Sequence, residues 1–402
     1  MLPDTALLNH DRLHNLMADA ELDVIVATSP ENVTYMSGFW ALPQWIRRGP
    51  QAYVLWPGPG HVEPEIITSS STLDLLADQK IWVSNIRRFG SFHLDRDPDA
   101  ALDPTTQRLV DQMGTPDNAD GLAALVTGIS EAGLASARIG IDEIGLLPGQ
   151  MEKLREHLPE AKFTPAATLL RKVRAIKTPE EIARLARVAD ITECSIRAAL
   201  KIAREGVSEI ELARAFHART VADDAVPVLG CIGFGERSAL PNVQPSERKL
   251  ARGDVIRFDV GGRYGHYRAD IARIATFGEP RGDVRRYHRA LLKGVERACE
   301  LIRPGVRVSS IFEAAVETVR REGIAHYRRS HVGHGIGIDG YDAPALTATS
   351  DEVLEAGMVL CVETPYYELG RWGLQVEDML VVRSDGAERL MATSGDLIEV
   401  EP

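Results

Sequence analysis

The sequence predicts an α+β protein of two domains, an N-terminal α/β domain over residues 1–165 and a pseudo-twofold α+β domain over residues 166–402. Three observations predict it. At 402 residues the chain is too long for one ordinary domain and comfortable for two. The first part interleaves short β-rich runs with helical patterns, which implies layered strands and helices. The second part repeats itself faintly. Gly206-Val207, followed by a capping box from Ser208 to Glu211, is echoed by Gly305-Val306 and a box from Ser310 to Glu313. Each echo joins two helices that lead into strands, so the sheets should meet at a shared site.

Taken in order, Asp23-Val24-Ile25-Val26-Ala27 reads as a buried strand, and Ser29-Pro30-Glu31-Asn32 starts a short helix. Ala52-Tyr53-Val54-Leu55-Trp56 is a second strand, ended by Pro57-Gly58-Pro59-Gly60, and Arg138-Ile139-Gly140-Ile141-Asp142 is a later one. Residues 149–157 read as a helix, and the polar stretch 95–106 as a surface loop. Thr178-Pro179-Glu180-Glu181 is a capping box with proline at the first helical position, and its helix is expected to run to about Gly206. Ile182, Leu185, Val188, Ala189 and Ile191 give that helix one apolar stripe. Strands follow at 255–277 and 358–382.

Composition narrows the function. The chain is 44% hydrophobic and 26% charged, which excludes wholesale disorder. With 58 acidic against 46 basic residues and a net charge of −12, it has no global attraction for nucleic acid or anionic lipid. Cys194, Cys231, Cys299 and Cys361 are scattered and form no CxxC pair, which points to a reducing compartment. Met1-Leu2-Pro3-Asp4 lacks the basic patch and apolar run of a signal peptide, and no apolar stretch is long enough to span a bilayer. A cytoplasmic protein is expected.

Three stretches of the second domain concentrate carboxylates on strands. They are Phe258-Asp259-Val260-Gly261-Gly262, with Asp270 eleven positions after Asp259; His331-Val332-Gly333-His334-Gly335-Ile336-Gly337; and Val362-Glu363-Thr364-Pro365, with Glu377 further on. A carboxylate in an apolar run is solvated, paired or metal-bound, because burying it alone is costly. Asp259, Asp270, Glu363 and Glu377 carry four negative charges, which two divalent cations would balance, with His334 adding a neutral imidazole. Oxygen-rich donors with one nitrogen suit manganese, and also cobalt, iron or zinc, and such a pair would activate a water. Gly335-x-Gly337-x-x-Gly340 also satisfies the dinucleotide pattern, but no helix pattern follows it, so that reading is set aside.

The order Asp, Asp, His, Glu, Glu with Gly-His-Gly-Ile-Gly around the histidine resembles the pita-bread metallopeptidases, which include methionine aminopeptidase, aminopeptidase P and prolidase. Asn32-Val33-Thr34-Tyr35-Met36-Ser37-Gly38-Phe39 and Lys177-Thr178-Pro179-Glu180-Glu181-Ile182 resemble signatures of the creatinase/aminopeptidase P branch. The resemblance implies a creatinase-like N-terminal domain followed by a pita-bread catalytic domain. It implies Asp259, Asp270, His334, Glu363 and Glu377 as ligands of two divalent ions, with Glu363 as base. It also implies a homodimer in which the N-terminal domain of one subunit approaches the partner's active site.

The chain departs from the family at two positions. The peptidases carry a histidine seventeen residues before the first aspartate ligand, where this chain has Asn242, and another seven residues after the histidine ligand, where it has Tyr341. An asparagine amide can still donate to an oxyanion but cannot shuttle a proton, whereas a tyrosine can donate a hydrogen bond. His331 and His266 are candidates for proton transfer or substrate contact. Tyr366, Tyr367 and Trp372 are candidates for lining the pocket, and Trp40, Trp45, Arg47 and Arg48 for capping the partner's pocket. The leading expectation is a dinuclear metal hydrolase of the Xaa-Pro aminopeptidase or dipeptidase type acting on a small peptide. The alternatives are a small-metabolite C–N hydrolase or lyase of the creatinase, ectoine hydrolase or dimethylsulfoniopropionate lyase type, and a non-catalytic binding protein.

Overall fold

A computed structural model describes residues 2–46 and 50–402; Arg47 and Arg48 lie outside the described residues. The chain divides into two compact units at Arg174/Ala175. The division falls after helix Ala167–Ala175 has begun to end rather than at 165/166, because that helix is tied to the first unit. Its Leu170 and Val173 are buried, Arg174 Nη1 donates to Asn32 Oδ1 at 2.6 Å, and Lys172 O accepts from Arg12 Nε at 2.9 Å.

The first unit is a seven-stranded sheet in the order Asp117–Asn118, Asn85–Phe89, Glu65–Ser69, Tyr53–Pro57, Val24–Ala27, Arg138–Ile141, Lys162–Pro165. Val24, Val26, Ile139 and Ile141 pack in its core with Leu125 and Ile129 of helix Gly121–Glu131. The Asn32 signature is structural. Asp142, fully buried, accepts from Ser29 N at 2.9 Å, Ser29 Oγ at 2.6 Å and Asn32 Nδ2 at 2.8 Å. A carboxylate is thereby fixed at the start of helix Pro30–Ser37, where the helix dipole favours it. The 95–106 loop is shorter than expected. Asp103 accepts from Thr105 N and Thr106 N with Pro104 at the first helical position, so helix Pro104–Met113 begins inside it.

The second unit is built twice. Helices Pro179–Leu200 and Glu209–Ala222 precede strands Val226–Phe234, Val255–Tyr264 and Ile271–Phe277; helices Val284–Leu301 and Val308–Glu322 precede strands His331–Gly335, Asp342–Thr347, Val359–Glu363 and Glu377–Arg383. The echo is carried by the backbone. Gly206 N donates to Leu250 O and Leu250 N to Val207 O, as Gly305 N donates to Leu354 O and Leu354 N to Val306 O. Gly253 N reaches Phe277 O just as Gly357 N reaches Val382 O. The capping box is found only in the first copy. Ser208 and Glu211 form it, but the second helix starts earlier, at Val308 with Arg307 as cap, so Ser310 lies inside the helix. The helix opened by Thr178 stops at Leu200, ahead of Gly206, and Ile182 is only half-buried.

Glu181 is buried. It accepts from Thr178 N at 2.7 Å and from the Tyr267 hydroxyl at 2.9 Å. Burial pushes it up to about 7 against the pull of Lys177 and these hydrogen bonds. The folded value lies above the ordinary 4.5, so its contribution to stability is full below pH 4.5 and lost as pH rises through about 7. A Glu181→Gln variant keeps a residue type suited to the capping box. Its stability relative to the parent should therefore improve between pH 4.5 and 8 by up to about 3 kcal/mol. Chemical denaturation at several pH values reads this directly, and a constant difference would refute it.

Candidate metal centre

The sheet of the second unit runs Tyr267–Arg268, Val255–Tyr264, Ile271–Phe277, Glu377–Arg383, Val359–Glu363, His331–Gly335, Asp342–Thr347. Its middle strands bring the five expected ligands together. Ala272 pairs with both Asp259 and Glu377, Glu363 pairs with Glu377, and His334 pairs with Cys361. Side chains two apart on a strand share a face, which places Arg257 beside Asp259 and Cys361 beside Glu363, while Gln375 lies in the break between strands Trp372–Leu374 and Glu377–Arg383. The glycines around His334 are required by close approach. A Cβ on Gly333 would stand 2.0 Å from Cys361 O, and one on Gly335 would stand 2.1 Å from Ala343 O.

One oxygen each from Asp259, Asp270 and Glu377 lie within 4.8 Å of one another, as do ligand atoms of His334, Cys361 and Glu377. His334 Nδ1 lies 3.0 Å from Gly335 O and Nε2 lies 3.8 Å from Asp270 Oδ2 and 3.9 Å from Glu377 Oε1. Donation from Nδ1 to the carbonyl leaves Nε2 as a lone pair facing the carboxylates. Asp270 Oδ1 is buried without a hydrogen-bond partner. Burial and then the neighbouring carboxylates push Asp270 and Glu377 far above the usual carboxylate range, and burial raises Asp259 to about 6 despite Arg257. Glu363 differs. Burial pushes it up too, but the His331 hydrogen bond and the Arg329 charge outweigh burial and hold it below its ordinary value. Four carboxylates this close cannot all ionise without cations, and a donor set of four carboxylates and one imidazole suits divalent ions.

The centre opens into a cavity of about 380 Å³ lined by Asn242, His331, Tyr341, Arg329, Tyr367 and Gln375 besides the ligand set. His331 Nε2 lies 2.7 Å from Glu363 Oε1, with Arg329 Nη2 at 3.7 Å from the same oxygen. Tyr341 is exposed at the rim, its ring 4.1 Å from that of His334. Some expected residues are placed elsewhere. His266 sits at positive φ in the two-residue turn between strands Val255–Tyr264 and Tyr267–Arg268. Tyr366 turns to His326, whose Nε2 is 2.9 Å from its hydroxyl, and packs against Tyr287 and Trp372. In the first unit, Trp45 Nε1 donates to Thr34 Oγ1 at 3.1 Å, and the Trp40 backbone N donates to Gln79 Oε1. Arg257, Arg329, Gln375 and Cys361 are beyond the residues expected at the site from the sequence. The alternation of strand side chains was the available signal for Arg257 and Cys361, each two residues before an expected ligand on the same strand.

Comparison with known proteins shows the family and the fold. Residues 183–384 match the family model described as Metallopeptidase family M24, and residues 10–176 match the Creatinase/Prolidase N-terminal domain. A Xaa-Pro dipeptidase from Pyrococcus furiosus is 29% identical over 255 residues, covering 62% of this chain and 72% of that one. The structure of a Xaa-Pro dipeptidase from Bacillus anthracis superposes with a TM-score of 0.78 at 26% identity, covering 97% of this chain and 98% of that one. A dipeptidase from Mycobacterium ulcerans shares the fold, with a TM-score of 0.79 at 24% identity over 100% of both chains. No helix among the described residues is long and apolar enough to cross a membrane.

Proposed function

The chain belongs to metallopeptidase family M24, a metal-dependent peptidase family, and on that premise we propose that it hydrolyses the Xaa-Pro bond of small peptides. The observation that carries the reading is the convergence of Asp259, Asp270, His334, Glu363 and Glu377 beneath one cavity that also holds Asn242, His331 and Tyr341. These five residues would hold two divalent ions, manganese best by the hardness of the donors. Bound there, the ions supply Lewis-acid polarisation of the amide and a water activated near neutral pH.

The remaining chemistry belongs to the side chains. Glu363, the carboxylate held ionised, takes the proton of the attacking water, and His331 at 2.7 Å stands ready to pass it to the leaving amine. The Asn242 amide and the Tyr341 hydroxyl donate to the carbonyl oxygen as charge develops on it. By the same family resemblance the protein is a homodimer in which Trp40 and Trp45 of one protomer select substrate at the partner's cavity. A Trp45→Ala enzyme with unchanged kinetic constants would count against that role.

The test is proline release from Xaa-Pro dipeptides, and N-terminal residue release from longer Xaa-Pro peptides, by manganese-loaded protein with a chelator control. Chelator-sensitive turnover is expected. Metal-loaded protein that leaves every Xaa-Pro peptide intact would overturn the proposal and favour a small-metabolite hydrolase or lyase, consistent with the altered residues Asn242 and Tyr341.

A further inference from the structure

Arg257 heads the large side chains that are completely buried in this protein, an unusual place for a guanidinium. Its hydrogen bonds run in two directions. Nη2 donates to Leu240 O at 2.6 Å and Pro241 O at 2.8 Å, the two carbonyls that immediately precede Asn242. Nη1 donates to Gln375 Oε1 at 2.9 Å and lies 3.3 Å from Asp259 Oδ2. Tyr367 adds a second donor to Gln375 Oε1, at 3.1 Å. With its oxygen so occupied, the Gln375 amide turns its nitrogen to the centre, 3.2 Å from Glu363 Oε2 and 3.2 Å from Glu377 Oε2. An isolated amide has no preference between its two flips; the donors on Oε1 impose one.

We propose that Arg257 is a positioning residue that fixes the Asn242 loop on one side and, through Gln375, the Glu363 and Glu377 carboxylates on the other, so that one buried guanidinium sets the spacing between the amide donor and the metal ligands. A planar fork serves both directions at once. A lysine ammonium, a point charge on a flexible stem, would reach one of them. The inference rests on the metal-centre reading above, but its main readouts require no substrate.

The test compares Arg257→Lys, Gln375→Met and the double variant with the parent. Manganese titration should give each single variant about 10-fold weaker affinity, the range seen when residues that orient metal ligands are replaced. The double variant should be no more than about twofold weaker still, because both changes cut one relay. Hydrogen exchange of the manganese-loaded protein should quicken at residues 240–243 in Arg257→Lys and stay at the parent's rate there in Gln375→Met. On a turned-over peptide, Arg257→Lys should lower kcat with little change in KM. If Arg257→Lys fails to fold, Gln375→Met still decides, since unaltered manganese affinity in that variant overturns the relay. Additive losses of affinity, or unchanged exchange at 240–243 in a folded Arg257→Lys protein, also overturn it.

Discussion

An Asp270→Asn variant should be inactive and yet, without metal, more stable than the parent. Asp270 shares a buried pocket with Asp259, Glu363 and Glu377, and one of its oxygens has no hydrogen-bond partner. In the metal-free protein, burial and carboxylate repulsion keep Asp270 and Glu377 protonated far beyond their usual range. Asparagine has nearly the same shape and removes one member of the repelling set, which should stabilise the metal-free fold by about 1–3 kcal/mol. It also removes a proposed metal ligand, so manganese should no longer raise the melting temperature, and activity should fall by about 10³-fold or more. Thermal scans in chelator and in manganese read both effects. A metal-free Asp270→Asn protein that melts below the parent would show that these carboxylates are not in conflict.

The second large effect concerns Glu363. The four carboxylates lie in one pocket, yet their surroundings drive them apart, with Asp259 raised to about 6, Asp270 and Glu377 raised well above the usual carboxylate range, and Glu363 lowered. Divergent environments of this kind separate the base from the groups that serve other roles. Glu363→Gln retains an oxygen donor and nearly the same volume but cannot take up a proton. The variant should bind manganese, about 10-fold more weakly, and lose about 10³-fold in kcat with KM changed only a few-fold. Steady-state kinetics beside a manganese titration separates the two losses. Activity within 10-fold of the parent at saturating metal would move the base elsewhere.

How much of this was legible in the sequence depends on range. Helix starts were legible where a side chain bonds its own backbone three residues on, as at Thr178 and Ser208. They were misread where that signal conflicts with a backbone register set from afar. Ser310 and Glu313 have the spacing of a capping box, but Val308 N is already bound to Glu352 O, and the helix begins there. The loop expected at 95–106 ends early because Asp103 and Pro104 act as cap and first turn of a helix. Among site residues, His266 was a histidine between two aspartates in sequence; the hairpin it turns needs positive φ there.

The sequence by itself determined the two-part chain, the repeated half-domains and the five candidate metal ligands, because each of these is written in order, spacing or residue type. The tertiary structure alone decided which carboxylate stays ionised, which way the Gln375 amide faces and where Asn242 stands. Those properties arise from contacts between residues far apart in the chain: His331 and Arg329 against Glu363, and Arg257 against Gln375 and Leu240. Charge and amide orientation in a buried site follow the nearest partners in space, and no spacing rule along one strand contains them.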